Sequence, residues 1–175
     1  MKRIRLFMLV LVLLLALPPA TFSEDFDSIG EVNRGIYWNR EFSIGCDLGE
    51  GWTFSSQEEL AAVNNNSDNT RTLMTAEYQG AAVVVLDAYY PGSEKLSRAD
   101  EDEYLKFQQQ LAQEAYEGIG MKNLHSNIDT IAFLEGYHTG LSISGMYDDG
   151  MNFFQTIAAA AYGDVIIVAT AYSFS

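Results

Sequence analysis

Apolar and polar positions alternate along most of this chain, and the alternation predicts strands. Phe42, Ile44, Cys46 and Leu48 fall on one side of the segment 41–48, with polar or small residues between them, the period of two that a half-buried strand requires. A short aromatic strand over 36–39 precedes it, a turn at Gly49-Glu50-Gly51 follows, and Trp52-Thr53-Phe54 begins the next element. Strands over 72–78 and 82–90 are joined at Gln79-Gly80 and stopped by Pro91-Gly92-Ser93. In the last third, strands are predicted over 124–133, 137–147, 152–162 and 165–172, with turns at Asp148-Asp149-Gly150 and Gly163-Asp164. Turns this short between successive strands imply antiparallel pairing.

Two segments depart from that period. Ser56-Gln57-Glu58-Glu59 has the form of a capping box and opens a short helix to Val63; 64–69 is a polar loop. From Asp100 a long helix is predicted, with Tyr104, Phe107, Leu111, Ala115 and Ile119 on its buried face and Gly118 and Gly120 ending it. The acidic run Asp100 to Glu103 is read as a solvated first turn, favoured by the helix dipole. The expected fold class is α+β: one domain, a mainly antiparallel twisted sheet, one long helix and one short one.

The first residues bear on compartment. Lys2, Arg3 and Arg5 precede an apolar run from Leu6 to Leu17, with Pro18 and Pro19 after it. These are the parts of a secretory signal peptide. As a helix the run would span about 18 Å, against a hydrocarbon core of about 30 Å, so no stable membrane span is expected. Thr21 and Ser23 place cleavage after Ser23. The organisation expected is a signal peptide over 1–23, an acidic linker over 24–34 and a folded domain over 35–175. Cys46 lies too far from the apolar run to accept a lipid, so there is no lipobox and the localisation expected is secreted or extracytoplasmic. As the lone cysteine it cannot form an internal disulfide, and its strand face makes it a small buried hydrophobe.

The chain carries 24 acidic and ten basic residues. Loss of residues 1–23 removes three of the basic ones and none of the acidic, which leaves a net charge of −17. That sign repels phosphate backbones and anionic lipid, so nucleic acid is excluded as a partner.

The sequence Tyr37-Trp38-Asn39, then Phe42-Ser43-Ile44, then Gly51-Trp52 leading into a short helix, resembles the PsbP-like family, which includes an extrinsic photosystem II subunit and the Mog-type Ran-binding import factors. A strand pair, one long helix and a final meander follow in that family's order over residues 35–175. Glu50 stands where the family usually has proline, and the family's closing C-terminal helix is absent. The resemblance implies an αβα sandwich and accessory or binding roles; it brings no functional residue with it.

Catalytic signatures are missing. His125 and His138 have no zinc-spaced partner, although His125 and Asp129 would share a strand face. Residues 64–75 lack the glycine and terminal glutamate of an EF-hand loop. His138, Ser142 and Ser144 alternate on one strand, but four residues separate the first two by about 13 Å, too far for direct contact. No phosphate loop is present, and Asn65-Asn66-Ser67 matters only in a glycosylating host. Asp87, interrupting an apolar run, is the most unusual carboxylate. No catalytic, cofactor-binding or metal residue is therefore assigned, and no cofactor. The candidate binding residues are the aromatics beside turns, Tyr37, Trp38, Tyr89 and Tyr90. The reading is a secreted non-catalytic binding or accessory domain for a protein or other ligand; the alternative is an extracytoplasmic hydrolase with an acidic, carboxylate active site. Finally, the strands over 83–90, 153–161 and 165–172 are apolar on both faces. Such a sheet needs a layer on each side, and two helices leave one side short. A protein partner, or self-association through the under-covered apolar face, is expected to complete it.

Overall fold

The computed structural model describes residues 30–65, 69–93 and 95–175; the predicted signal peptide and the Asn65-Asn66-Ser67 acceptor fall wholly or partly outside them. The described chain is an α+β sandwich of ten strands and two helices in two sheets. Strands β1 (Glu31–Asn33), β2 (Ile36–Asn39) and β3 (Ile44–Asp47) form a small sheet. Strand β4 (Trp52–Phe54) leads through helix α1 (Gln57–Asn64) to the hairpin β5 (Thr70–Tyr78) and β6 (Ala82–Tyr89). Helix α2 (Arg98–Gly118) then crosses to the far edge, and the meander β7 (Lys122–Phe133), β8 (Gly136–Met146), β9 (Asn152–Tyr162) and β10 (Val165–Phe174) returns. The large sheet has the order β4-β5-β6-β10-β9-β8-β7, every neighbour antiparallel.

The local chemistry follows the sequence closely. At α1, Ser56 Oγ accepts from the Glu59 N–H, and the Glu59 carboxylate accepts from the Ser56 N–H at 2.7 Å, the reciprocal pair of a capping box. Gln79 and Gly80 both have positive φ, 49° and 69°, the geometry of the two-residue turn that matches strand twist. The long helix ends with the Met121 N–H on the Tyr116 carbonyl and the Gly120 N–H on the Glu117 carbonyl, a Schellman motif with Gly120 at φ 78°. Strand β3 is shorter than the predicted 41–48. Buried Asn39 accepts the Phe42 N–H at 3.1 Å and Ser43 takes φ 53°, so the chain turns there before it extends.

Two cores sandwich the large sheet. Helix α2 covers the first, where Leu105, Tyr116, Leu141, Phe153, Ile157, Ile166 and Val168 are buried together. The second joins Tyr37, Phe42 and Ile44 of the small sheet and its turn to Leu73, Met74, Leu86, Ala88, Val165 and Ile167. A register shift between Thr72 and Met74 lets both Leu73 and Met74 serve this second core. Strands β6 and β10 are thus buried on both faces, which explains their continuous apolar runs. Over these strands the missing layer is the chain's own small sheet. Over β7 and β8 the same face presents His125 opposite Ser144 and Asn127 opposite Ser142, with Asp129 opposite Gly140. Phe154 and Tyr162 of β9 are the exposed large apolar residues there, and Phe42 meets the Tyr162 ring edge-on.

The face of α2 differs from the prediction. Glu101, Leu105, Ala112 and Tyr116 are buried, while Phe107 and Ile119 are exposed and Leu111 is half-buried. The 104/107/111/115/119 stripe is rotated off the true one because position 101 is a charged residue and position 112 a small one. Leu105→Ala should cost roughly 2–5 kcal/mol, whereas Phe107→Ala should change stability by no more than about 0.5 kcal/mol. Urea denaturation of the two variants checks this; equal losses would mean the helix docks by the other stripe.

Candidate functional site

Three features stand out from the scaffold. The first is a cavity of about 240 Å³ between the small sheet, α1 and β5. Tyr37, Leu60, Leu73 and Met74 form its apolar lining, and Ser55, Ser56 and Gln57 bring polar groups to it. Its position follows from the fold: the capping box at Ser56 turns the chain into α1, and Leu60 is the buried residue of that helix. Asn64, the last residue of α1, then clamps Thr72, with Nδ2 donating to the Thr72 carbonyl and Oδ1 accepting the Thr72 N–H. This holds α1 against β5 beyond the reach of β4. Gly30 lines the cavity too, and no side chain fits there, since a Cβ would stand 2.5 Å from the Trp38 carbonyl oxygen. The Tyr37 hydroxyl accepts from Asn39 Nδ2 at 3.1 Å, and burial raises its pKa.

The second feature is Asp87, on the other face of the sheet. It is 3% exposed, and Thr72 Oγ1 donates to it at 2.8 Å. Burial pushes its pKa up to about 7, and the Thr72 hydrogen bond only partly opposes the rise. Tyr104 and Tyr172 lie close enough to interact with its charge, and burial raises both phenols.

The third is a seam filled by α2. The β8–β9 ladder ends at the pair Gly140 and Ala158. Beyond it β8 continues to Gly136 without pairing to β9, and the Ala161 N–H donates to Glu101 Oε1 at 2.7 Å. His138 Nδ1 stands 3.3 Å from both oxygens of the same carboxylate. Beside them the Thr139 hydroxyl bonds Asp102 at 2.5 Å. The acidic run is therefore not a solvated first turn throughout. Asp100 caps the helix by accepting from the Ser97 N–H and hydroxyl, Asp102 reaches β8, and Glu101 is buried. The sequence conceals this because the partners lie 37 and 60 residues away. The carboxylate against Nδ1 fixes the orientation of the His138 ring. Ser142, four residues along the strand, is exposed, and the ring's structural partner is Glu101 instead.

The four candidate aromatics do not converge. Tyr37 is buried in the second core and touches the cavity. Trp38 points outward from the small sheet, 46% exposed, and lies across Gly45. Tyr89 stacks at 5.2 Å on Tyr104 beneath α2. Tyr90, on the opposite face, is half-buried against Arg71, which also bridges to Glu41 at 3.3 Å. Cys46 is half-buried at the rim of the second core, and burial raises its thiol pKa. Among the described residues no three His, Cys, Asp or Glu side chains gather as metal ligands, and no helix is long and apolar enough to cross a membrane.

The fold and the cavity define the described chain as an α+β domain with a small recess of mixed polar and apolar lining. No protein-family model matches the chain and no curated protein matches it, so its class rests on architecture.

Proposed function

We propose that this chain is a secreted, non-catalytic binding or accessory domain, and that the recess beside α1 takes a single apolar group of a protein or small ligand. The carrying observation is the composition of that recess. It joins the apolar residues Val32, Tyr37, Leu60, Leu73 and Met74 to Ser55, Ser56 and Gln57, and among the described residues no carboxylate or histidine lines it. Its volume of about 240 Å³ lies below the roughly 300–1,000 Å³ of sites that enclose a drug-sized molecule. One side chain is the size of guest that suits it. A screen of small apolar amides by NMR should shift the amides of Gly30, Ser55 and Gln57, and Leu60→Trp should abolish those shifts while the rest of the spectrum persists. Shifts centred elsewhere would refute the assignment.

The order of elements supports kinship with the PsbP-like proteins, with the small sheet in place of a helical layer. Secretion rests on the basic head and apolar run of residues 2–17. Sequencing of exported protein should begin near Glu24, and an intact Met1 would count against it. The second reading, an extracytoplasmic hydrolase with a carboxylate site, is favoured by Asp87, whose pKa near 7 suits a general acid. Its enclosure beneath α2 argues for structure instead. Turnover in a hydrolase screen that Asp87→Asn abolishes would reverse that preference.

A further inference from the structure

We propose that β7 is a self-association edge, at which two copies of this chain pair antiparallel about a two-fold axis through Asn127. β7 closes one side of the large sheet and is its longest strand, at 12 residues. Pairing with β8 uses one side of its backbone, so alternate peptide groups face outward. No residue along it is buried.

Natural sheets blunt such edges with short strands, proline, repeated charge or bulges. The opposite edge of this sheet obeys that rule: β4 has 3 residues, and the Asn64 clamp seals β5 beyond it. β7 does not obey it. It contains no proline, and its register shift is confined to the stretch from Lys122 to His125. From Ser126 to Phe133 the register with β8 is unbroken, and Asp129 is the one charged residue. The fold protects one edge and leaves most of the other unpaired; along β7 the Asp129 carboxylate accepts the Thr130 N–H at 2.7 Å and Gln109 of α2 donates to Ser126 Oγ at 2.8 Å.

The strand's own sequence selects the partner. In an antiparallel pair centred on Asn127, residue 125 faces residue 129 of the other copy, and 126 faces 128. His125, Asn127 and Asp129 share one face of the sheet, by the period of two. Each imidazole then lies directly across from the other copy's carboxylate, twice by symmetry, and the Asn127 amides meet on the axis. Directly opposed donor–acceptor pairs of this kind fix register between strands. On the other face Ile128 lies across from Ser126. The contact is isologous, so it closes at two copies and consumes the open edge. It is independent of the recess beside α1.

Light scattering of the purified protein across a concentration series should show conversion from one chain to two. Asp129→Lys should weaken that dimer by about tenfold or more, equivalent to about 1.4 kcal/mol. The exchange His125→Asp with Asp129→His should restore it, because the opposed pair is rebuilt in reverse. Both positions are exposed, so circular dichroism should be unchanged. In a Cys46→Ala background, Asn127→Cys should oxidise to a covalent two-chain product, while Tyr137→Cys, 75% exposed but off the strand, should not. A monomer at every concentration would overturn the proposal. So would a dimer indifferent to Asp129→Lys, or one lost instead on Trp38→Glu, which would place the contact on the small sheet.

Discussion

Asp87→Asn should flatten the pH dependence of stability between about pH 4 and pH 7 and should stabilise the protein at pH 8 by up to about 4 kcal/mol. The sign follows from the direction of the shift. The Asp87 carboxyl rises from 3.8 to about 7 on folding, so between those values the folded chain holds a proton that the unfolded chain has released. Stability must then fall as pH rises through this window and stay low above it. Glu59 and Asp100 work in the opposite sense. Backbone and side-chain hydrogen bonds from Ser56 lower the first, and bonds from the Ser97 side chain and backbone lower the second, so their contributions are present above the ordinary carboxylate range and lost in acid. Urea melts of wild type and Asp87→Asn at several pH values isolate the buried group as the difference between two curves. Asparagine keeps an oxygen for the Thr72 hydroxyl, so little else changes. Parallel curves would show that Asp87 is ionised in the folded protein with a partner still to be found.

Phe153→Ala should be the most damaging single truncation in the sheet, at roughly 3–5 kcal/mol. Its ring is fully buried and centres an aromatic group: Tyr116 at 4.9 Å, Phe174 at 5.7 Å, Tyr147 at 6.1 Å and Tyr172 at 6.2 Å. The void would also strand a polar link, since the Tyr116 hydroxyl donates to buried Gln155 at 2.9 Å beside it. Phe154, the next residue, points the other way and is 47% exposed. Phe154→Ala should cost less than about 1 kcal/mol. Thermal or urea unfolding of both variants tests the pair. Similar losses would mean that β9 is one residue out of the register seen here.

What could be read from the chain itself was local. Ser56 and Glu59 are three residues apart, Gln79 and Gly80 are adjacent, and Gly120 comes just after the C-cap Ile119 of its helix, so each turn or cap carries its own signal. The two-sided apolar character of 83–90 and 165–172 also pointed correctly to two covered faces. The covering layer was less visible, because nothing in 31–47 states which sheet those strands lie on. The long helix shows the same limit. Apolar residues alone define the 104/107/111/115/119 stripe, and a charged residue such as Glu101 usually stays in solvent. Only the end of the β8–β9 ladder, remote in sequence, gives that carboxylate a reason to be inside. The aromatic candidates failed to converge for a related cause: Tyr89 and Tyr90 are neighbours, and in a strand neighbours must face opposite ways.

The Glu101 carboxylate completes a row of strand hydrogen bonds with an atom that belongs to a helix. The Ala161 amide is thereby shielded from solvent by the seating of α2 and not by a neighbouring strand. Its proton should exchange with water whenever the start of α2 lifts away, even while the β9–β10 hairpin stays intact. One amide in the sheet thus acts as a clock for the helix, and the two layers cannot come apart in separate steps without that proton recording it.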